Sequence, residues 1–411
     1  MGNKKMIQNN LSCKNKNANK KENIILRVSK KEHDIIKFKS FLFNKKKSDF
    51  LRYISFKYWE NSNRISKKIL QAYQESNDEN KNIIIDLLFK YYRYNGFPYI
   101  ELNNKEKIKY MKNIANSKDV LLQGDYLQFN TQGISLANYF HPHRMKAYYN
   151  NQNNSPIDTF NNDDKLKDCI KKWMDMGRKP NHAGIRQILK TRNGTRAVGN
   201  FKPVIAKYIY DNYIEKDGIV LDPCAGYGGR LAGCIASNKN LLYHGIDSNG
   251  DIAIGNTQMA SFFMNLYNNG IFNKERMFKF EFKFDIGCAE DIMSRLNNKY
   301  DLIFTSPPYY DLEIYEKNKN QSSEKYSNYK EWKNKFLFKI IDESYRLLRN
   351  DKYLILNLKN KKDFNLVDDT VDYCRKKWKL IKVYKMKLIN NEFNRNKKEL
   401  FHYEPILIFK K

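Results

Sequence analysis

Two short stretches carry residue types that could do chemistry. The stretch from Asp301 to Tyr315 reads DLIFTSPPYYDLEIY. Leu302, Ile303 and Phe304 form a buried strand, and Pro307 and Pro308 must end it because neither can donate to a sheet ladder. The turn then falls at the carboxyl edge of a sheet, where open α/β folds bind their ligands. Pro-Pro locks the backbone, so the Ser306 hydroxyl and the Pro307 carbonyl become fixed acceptors beside the flat ring of Tyr309. Two fixed acceptors, a ring and no charged nucleophile suit a planar base bearing an amino group. The other stretch, Asp222 to Gly233, reads DPCAGYGGRLAG and follows the apolar run Ile219, Val220, Leu221. With the helix-like Leu231 to Ser237 after it, it reads as strand, glycine turn, helix. Glycines at 226, 228 and 229 let the chain turn sharply and leave room where a side chain would meet a ligand. Asp222, at the strand's end, is placed to accept hydrogen bonds from that ligand.

Taken together, residues 222–230 and 305–309 resemble the S-adenosylmethionine-dependent amino-methyltransferases of DNA, a resemblance that covers about residues 195–411. It implies an α/β fold with a Rossmann-like class I methyltransferase sheet in the C-terminal half and S-adenosylmethionine as cofactor, with no metal. By that resemblance the glycine loop holds the methionine part of the cofactor, through Asp222, Cys224, Ala225, Gly226 and Gly228. Phe201, before the first strand, closes the pocket. Asp247, at the end of the strand Leu242 to Ile246, pairs with the ribose hydroxyls beside Ser248. Cys288 and Ala289 lie near the adenine, where many relatives carry an acid; Glu290 or Asp291 could substitute. Thr305 borders the cofactor, and Ser306, Pro307, Pro308 and Tyr309 hold a flipped-out base with Tyr309 stacked on it. Cytosine-specific relatives mostly carry Ser before Pro-Pro-Tyr, often after Thr, and adenine-specific ones Asp or Asn. Thr305-Ser306 therefore implies the cytosine amine, with adenine as the alternative. Other readings are an RNA-modifying or protein-glutamine methyltransferase, or a DNA-binding protein that has lost catalysis.

Composition bears on the partner. The 411-residue chain has 75 Lys plus Arg against 45 Asp plus Glu, a formal net charge of +30, which points to a polyanion and here to DNA. Cysteines at 13, 169, 224, 234, 288 and 374 form no CxxC pair, which argues against a zinc site and for a reducing compartment. No apolar run reaches membrane-spanning length and no signal-peptide pattern opens the chain, so a cytoplasmic protein is expected.

Upstream elements must position these motifs. Residues 1–21 are Lys/Asn-rich and expected to be a disordered basic tail. Residues 22–60 read as a strand and two helices and resemble a ribbon-helix-helix unit, which pairs its strands in a dimer and lays them in the major groove. That resemblance turns Asn23 and Arg27 toward bases and implies a homodimer. Residues 61–194 are expected to be mostly helical, with target recognition as a possible role from chain position. Helices are expected at 66–75, at 80–93 and through Trp173, and the polar stretch 150–164 as a loop. His141 and His143 flank a proline without a third ligand and read as a surface turn. Arg186, Arg192 and Arg196 lie in a basic segment that could track phosphates beside the site. Residues 195–411 form the methyltransferase domain, with a helix from Val204 to Tyr213, strands at 280–286, 353–358, 380–389 and 405–409, and helices at 329–349 and 364–378. The insert 310–328 is expected to loop over the substrate.

Overall fold

Leu302-Ile303-Phe304 and Leu354-Ile355-Leu356 are apolar on both sides of a strand, so the sheet they enter must be covered on both faces. The computed structural model describes residues 63–118, 120, 124–128, 130–149, 154–268, 279–315, 321–361, 363–387 and 403–411. The basic tail and the ribbon-helix-helix segment, with Asn23 and Arg27, lie outside the described residues. The strands are β1 (Tyr126–Leu127), β2 (Tyr148–Tyr149), β3 (Asp217–Asp222), β4 (Asn240–Asp247), β5 (Phe280–Ile286), β6 (Tyr300–Thr305), β7 (Glu313–Ile314), β8 (Leu348–Asn357), β9 (Lys379–Lys387) and β10 (Tyr403–Lys410). Eight of them form one sheet in the order β1-β9-β10-β8-β6-β3-β4-β5. All neighbours are parallel except β10, which runs antiparallel to both β8 and β9. This is the Rossmann-like class I methyltransferase sheet that the sequence implied, with the short β1 added at one edge. β2 and β7 pair separately.

The helices are α1 (Asn63–Gln74), α2 (Asp78–Asn95), α3 (Asn104–Ala115), α4 (Ile134–Phe140), α5 (Pro156–Asn161), α6 (Asp163–Asp175), α7 (His182–Leu189), α8 (Pro203–Tyr213), α9 (Gly229–Ala236), α10 (Gly250–Asn268), α11 (Ala289–Ile292), α12 (Ser322–Lys325), α13 (Tyr329–Trp332), α14 (Phe338–Leu347) and α15 (Leu366–Cys374). Alternation along each strand divides the core. Val220, Leu302, Phe304 and Ile355 pack with α3, α4, α8, α9 and α10, whereas Leu221, Ile303, Leu354 and Leu356 pack with α11, α14 and α15. A one-residue slip in any strand would exchange the side chains that face these two layers of helices.

Helices α3 and α4 share the core of the sheet. The described residues belong to one compact unit. Three local expectations need correction. The polar stretch 150–164 contains α5, started by a capping box in which Ser155 and Asp158 satisfy each other's backbone amides. The helix expected over 329–349 is α13 and α14 joined by a π-helical turn at Lys333–Leu337, and it ends at Leu347 where β8 begins. The helix expected over 364–378 is shorter, α15 alone. Cys169, Cys224, Cys234, Cys288 and Cys374 are free. Among the described residues no helix is long and apolar enough to cross a membrane.

Candidate active site

The glycine loop is held from three sides. Ala225 N donates to the Ile246 carbonyl at 2.9 Å, and Gly226 N donates to Asp247 Oδ2 at 3.0 Å, both at the end of β4. Cys224 N donates to Thr305 Oγ1 at 3.1 Å at the end of β6, and Asn256 Nδ2 of α10 donates to the Gly226 carbonyl at 3.0 Å. Gly226 and Gly228 have φ of +56° and +73°, which side chains rarely adopt. A Cβ at Gly226 would meet no atom nearer than 3.9 Å, so the space beside it is open. A Cβ at Gly228 would strike Met259 and His141, so that glycine serves packing.

The loop, the end of β4, residues 287–290 and the Ser306–Tyr309 turn wall one cavity of about 430 Å³. Of the expected cofactor residues, Phe201, Cys224, Ala225, Gly226, Asp247, Ser248, Cys288 and Ala289 line it, as do Ser306, Pro307, Pro308 and Tyr309. Asp222, Gly228 and Thr305 do not line it, which corrects their expected roles. Asp222 is fully buried behind the loop, and its Oδ2 accepts from Arg230 Nε and from the Tyr243 hydroxyl, each at 2.7 Å. Burial pulls the Arg230 pKa down, but Asp222 outweighs it and holds it above its ordinary value. Arg230 also donates to the Cys224 carbonyl, so the Asp222–Arg230 pair braces the loop from beneath. Thr305 is equally buried and acts through its bond to Cys224.

Asp247 is the acid that does reach the cavity. Its Oδ2 and Oδ1 each accept one backbone amide, from Gly226 and from Asn249. Burial raises its pKa to about 6, against the pull of those two amides. Glu290 lines the cavity too, but its Oε1 is taken by Lys325 Nζ and the Tyr326 hydroxyl, both at 2.7 Å. Cys288, Glu290 and Asp291 are spaced for a metal among the described residues, yet Lys325 already bridges the two carboxylates.

His141, read from sequence as part of a surface turn, is fully buried beneath the loop, with Nδ1 2.8 Å from the Ala137 carbonyl. Burial lowers His141 to about 3 and His143 to about 4, which makes both neutral spacers near neutral pH. The expected phosphate-tracking arginines separate. Arg196 lines the cavity and lies over the Tyr149 ring, Arg186 is bonded to the Pro98 carbonyl, and Arg192 pairs with Asp168.

Sequence reasoning missed one end of the cavity, where Tyr149, Lys202, Glu313, Tyr315, Asn357, Lys359 and Glu404 surround Ser306 and Tyr309. Glu313 arrives because β7 pairs with β2, and Glu404 because β10 enters the sheet beside β8. Glu404 left one signal, an acid opening a strand that is apolar from Ile406 to Phe409.

No protein-family model and no curated protein matches the chain. Among solved structures, it is similar to TrmN from Thermus thermophilus at 14% identity and TM-score 0.34, over 51% of this chain and 48% of that one. The chain therefore spans about half the length of TrmN. A methyltransferase from Pyrococcus furiosus is similar at 15% identity and TM-score 0.33, covering 55% of this chain and 92% of that one. Magnesium protoporphyrin IX methyltransferase from Synechocystis PCC 6803, solved with bound SAM, is similar at 13% identity and TM-score 0.32, over 50% and 76% of the two chains. Identities and scores this low leave activity and substrate to be argued from the site.

Proposed function

We propose that the protein is an S-adenosylmethionine-dependent methyltransferase that modifies the exocyclic amine of a base extruded from DNA, with cytosine as the base. One observation carries this reading: a single cavity is walled at one part by Gly226 and Asp247 and at another by Ser306, Pro307 and Tyr309. The residues present fit the cofactor. Each Asp247 oxygen has lone pairs beyond the amide it accepts, which ribose hydroxyls could use, and burial raises its pKa. The open space at Gly226 admits a ligand against the backbone, and Phe201, Cys288 and Ala289 offer flanking walls. S-adenosylmethionine bound there would supply an electrophilic methyl group.

The chain's own part is positioning. An exocyclic amine is a weak nucleophile because its lone pair is delocalised into the ring. Acceptors at Ser306 and Pro307 hold its hydrogens and favour the tetrahedral nitrogen that attack requires, while the Tyr309 ring offers a stacking face. DNA is supported by the +30 charge and by Arg196 at the cavity, and cytosine by Thr305-Ser306 ahead of the prolines.

Incubation with methyl-labelled S-adenosylmethionine and DNA or RNA, followed by digestion to nucleosides and mass spectrometry, tests the reading. N4-methyl-2'-deoxycytidine from DNA is expected. N6-methyl-2'-deoxyadenosine would overturn the base assignment, label confined to RNA would overturn the DNA assignment, and cofactor binding without transfer to any base would overturn the activity.

A further inference from the structure

Ser306 Oγ lies 3.0 Å from the Tyr309 hydroxyl oxygen, and that hydroxyl donates to Glu404 Oε1 at 2.5 Å. A phenol carries one proton and an ionised carboxylate only accepts. The Tyr309 proton is therefore committed to Glu404, and Ser306 donates to Tyr309. Asn357 offers both hydroxyls a second, more distant acceptor. Its Nδ2 donates to the Pro405 carbonyl at 3.1 Å, which turns Oδ1 toward both hydroxyls, 3.4 Å from Ser306 Oγ and 3.3 Å from the Tyr309 oxygen. With its proton directed away, Ser306 keeps lone pairs for a group in the cavity. The three residues belong to the turn after β6 and to β10, so only the assembled sheet brings them together.

We propose, on the basis of amine methylation as read above, that Ser306, Tyr309 and Glu404 form a proton relay that removes the hydrogen the amine must lose, with Glu404 as the terminal acceptor. The balance is as follows. The nitrogen lone pair forms the N–CH3 bond as the S–CH3 bond of the sulfonium donor breaks and its electron pair stays on sulfur. The nitrogen is left with one proton too many. That proton passes to Ser306 Oγ as the Ser306 proton moves to the Tyr309 oxygen and the Tyr309 proton to Glu404, which becomes a neutral acid and releases the proton to water.

Glu404 suits the end of such a chain. Burial raises its affinity for a proton above that of an ordinary glutamate, opposed by Tyr309, Lys359, Lys202 and Asn357, while Glu313 is the other carboxylate in that part of the cavity. Glu404 acts through Tyr309 and is a positioning and relay residue, whereas Ser306 would touch the substrate.

Single-turnover transfer from labelled S-adenosylmethionine to unmethylated genomic DNA by the full-length protein, across pH 5.5 to 9, tests the relay. With cofactor saturating at every pH, Glu404→Gln and Tyr309→Phe should each slow the chemical step by about 100-fold and flatten the wild-type profile. Glu404→Asp should recover part of the rate. Cofactor affinity by calorimetry should stay at wild-type level, which also shows that each variant is folded. Wild-type protein needs no substitution to show a solvent deuterium isotope effect on the single-turnover rate, and its absence would overturn the relay. Variants with unchanged rate and pH profile, beside an active wild type, would overturn the relay and leave the methylation reading standing. A wild type that binds cofactor but methylates no base would overturn both.

Discussion

Asp222 and Asp247 both end a central strand, yet they do different work. Asp247 faces the cavity, and a ligand hydroxyl donating to it favours its ionised form. Its pKa of about 6 sets the sign: cofactor affinity should be full above pH 6 and fall as the pH drops through it. Calorimetry at pH 7.5 and pH 5 should show this loss for wild type and a weak, flat profile for Asp247→Asn. Gly226→Val should abolish cofactor binding while the fold survives, because a branched side chain at φ +56° would stand in open ligand space. Normal binding by the folded variant would remove Gly226 from the site. Asp222→Ala tests stability instead. It leaves the buried Arg230 guanidinium without its partner, a loss of about 3–5 kcal/mol for a buried pair, to be read as a large drop in denaturation midpoint.

At the scale of elements, the central strands were legible because each is an apolar run bounded by Gly, Pro or Asp, which physics ties to a sheet buried on both faces. The glycine loop and the Ser-Pro-Pro-Tyr turn were legible for the same reason, since their chemistry lies within a dozen consecutive residues. What was hidden depends on pairing between distant segments. Nothing near Glu313 says that Tyr148 and Tyr149 will pair with it, and nothing near Glu404 says that Tyr309 will point at it. Asp222 was misassigned because Arg230 and Tyr243 reach it only once β4 and α9 have packed. His141 was misassigned because its burial comes from the loop above it. The Ser155–Asp158 capping box was a local signal for α5 that the polar composition obscured.

For the whole molecule, the +30 charge makes a salt-dependent attraction to DNA the expected behaviour. Deleting residues 1–60 should weaken DNA binding and flatten its dependence on salt, because fewer counterions are released, and unchanged affinity and slope in a binding titration would remove the role given to that segment. The sheet order has a consequence of another kind. Among the described residues β10 is the only strand that joins β9 and β1 to the rest of the sheet, and Glu404 rides on it. If β10 parts from β8, the three strands leave together and take Glu404 from Tyr309 while the glycine loop, braced from β3, β4 and β6, stays in place. Amide exchange should therefore show the backbone protons of β9 and β10 that bond within the sheet opening as one cooperative group, separate from those of β3 and β4. On the relay reading, a protein caught in that opening would still hold its methyl donor and be unable to use it.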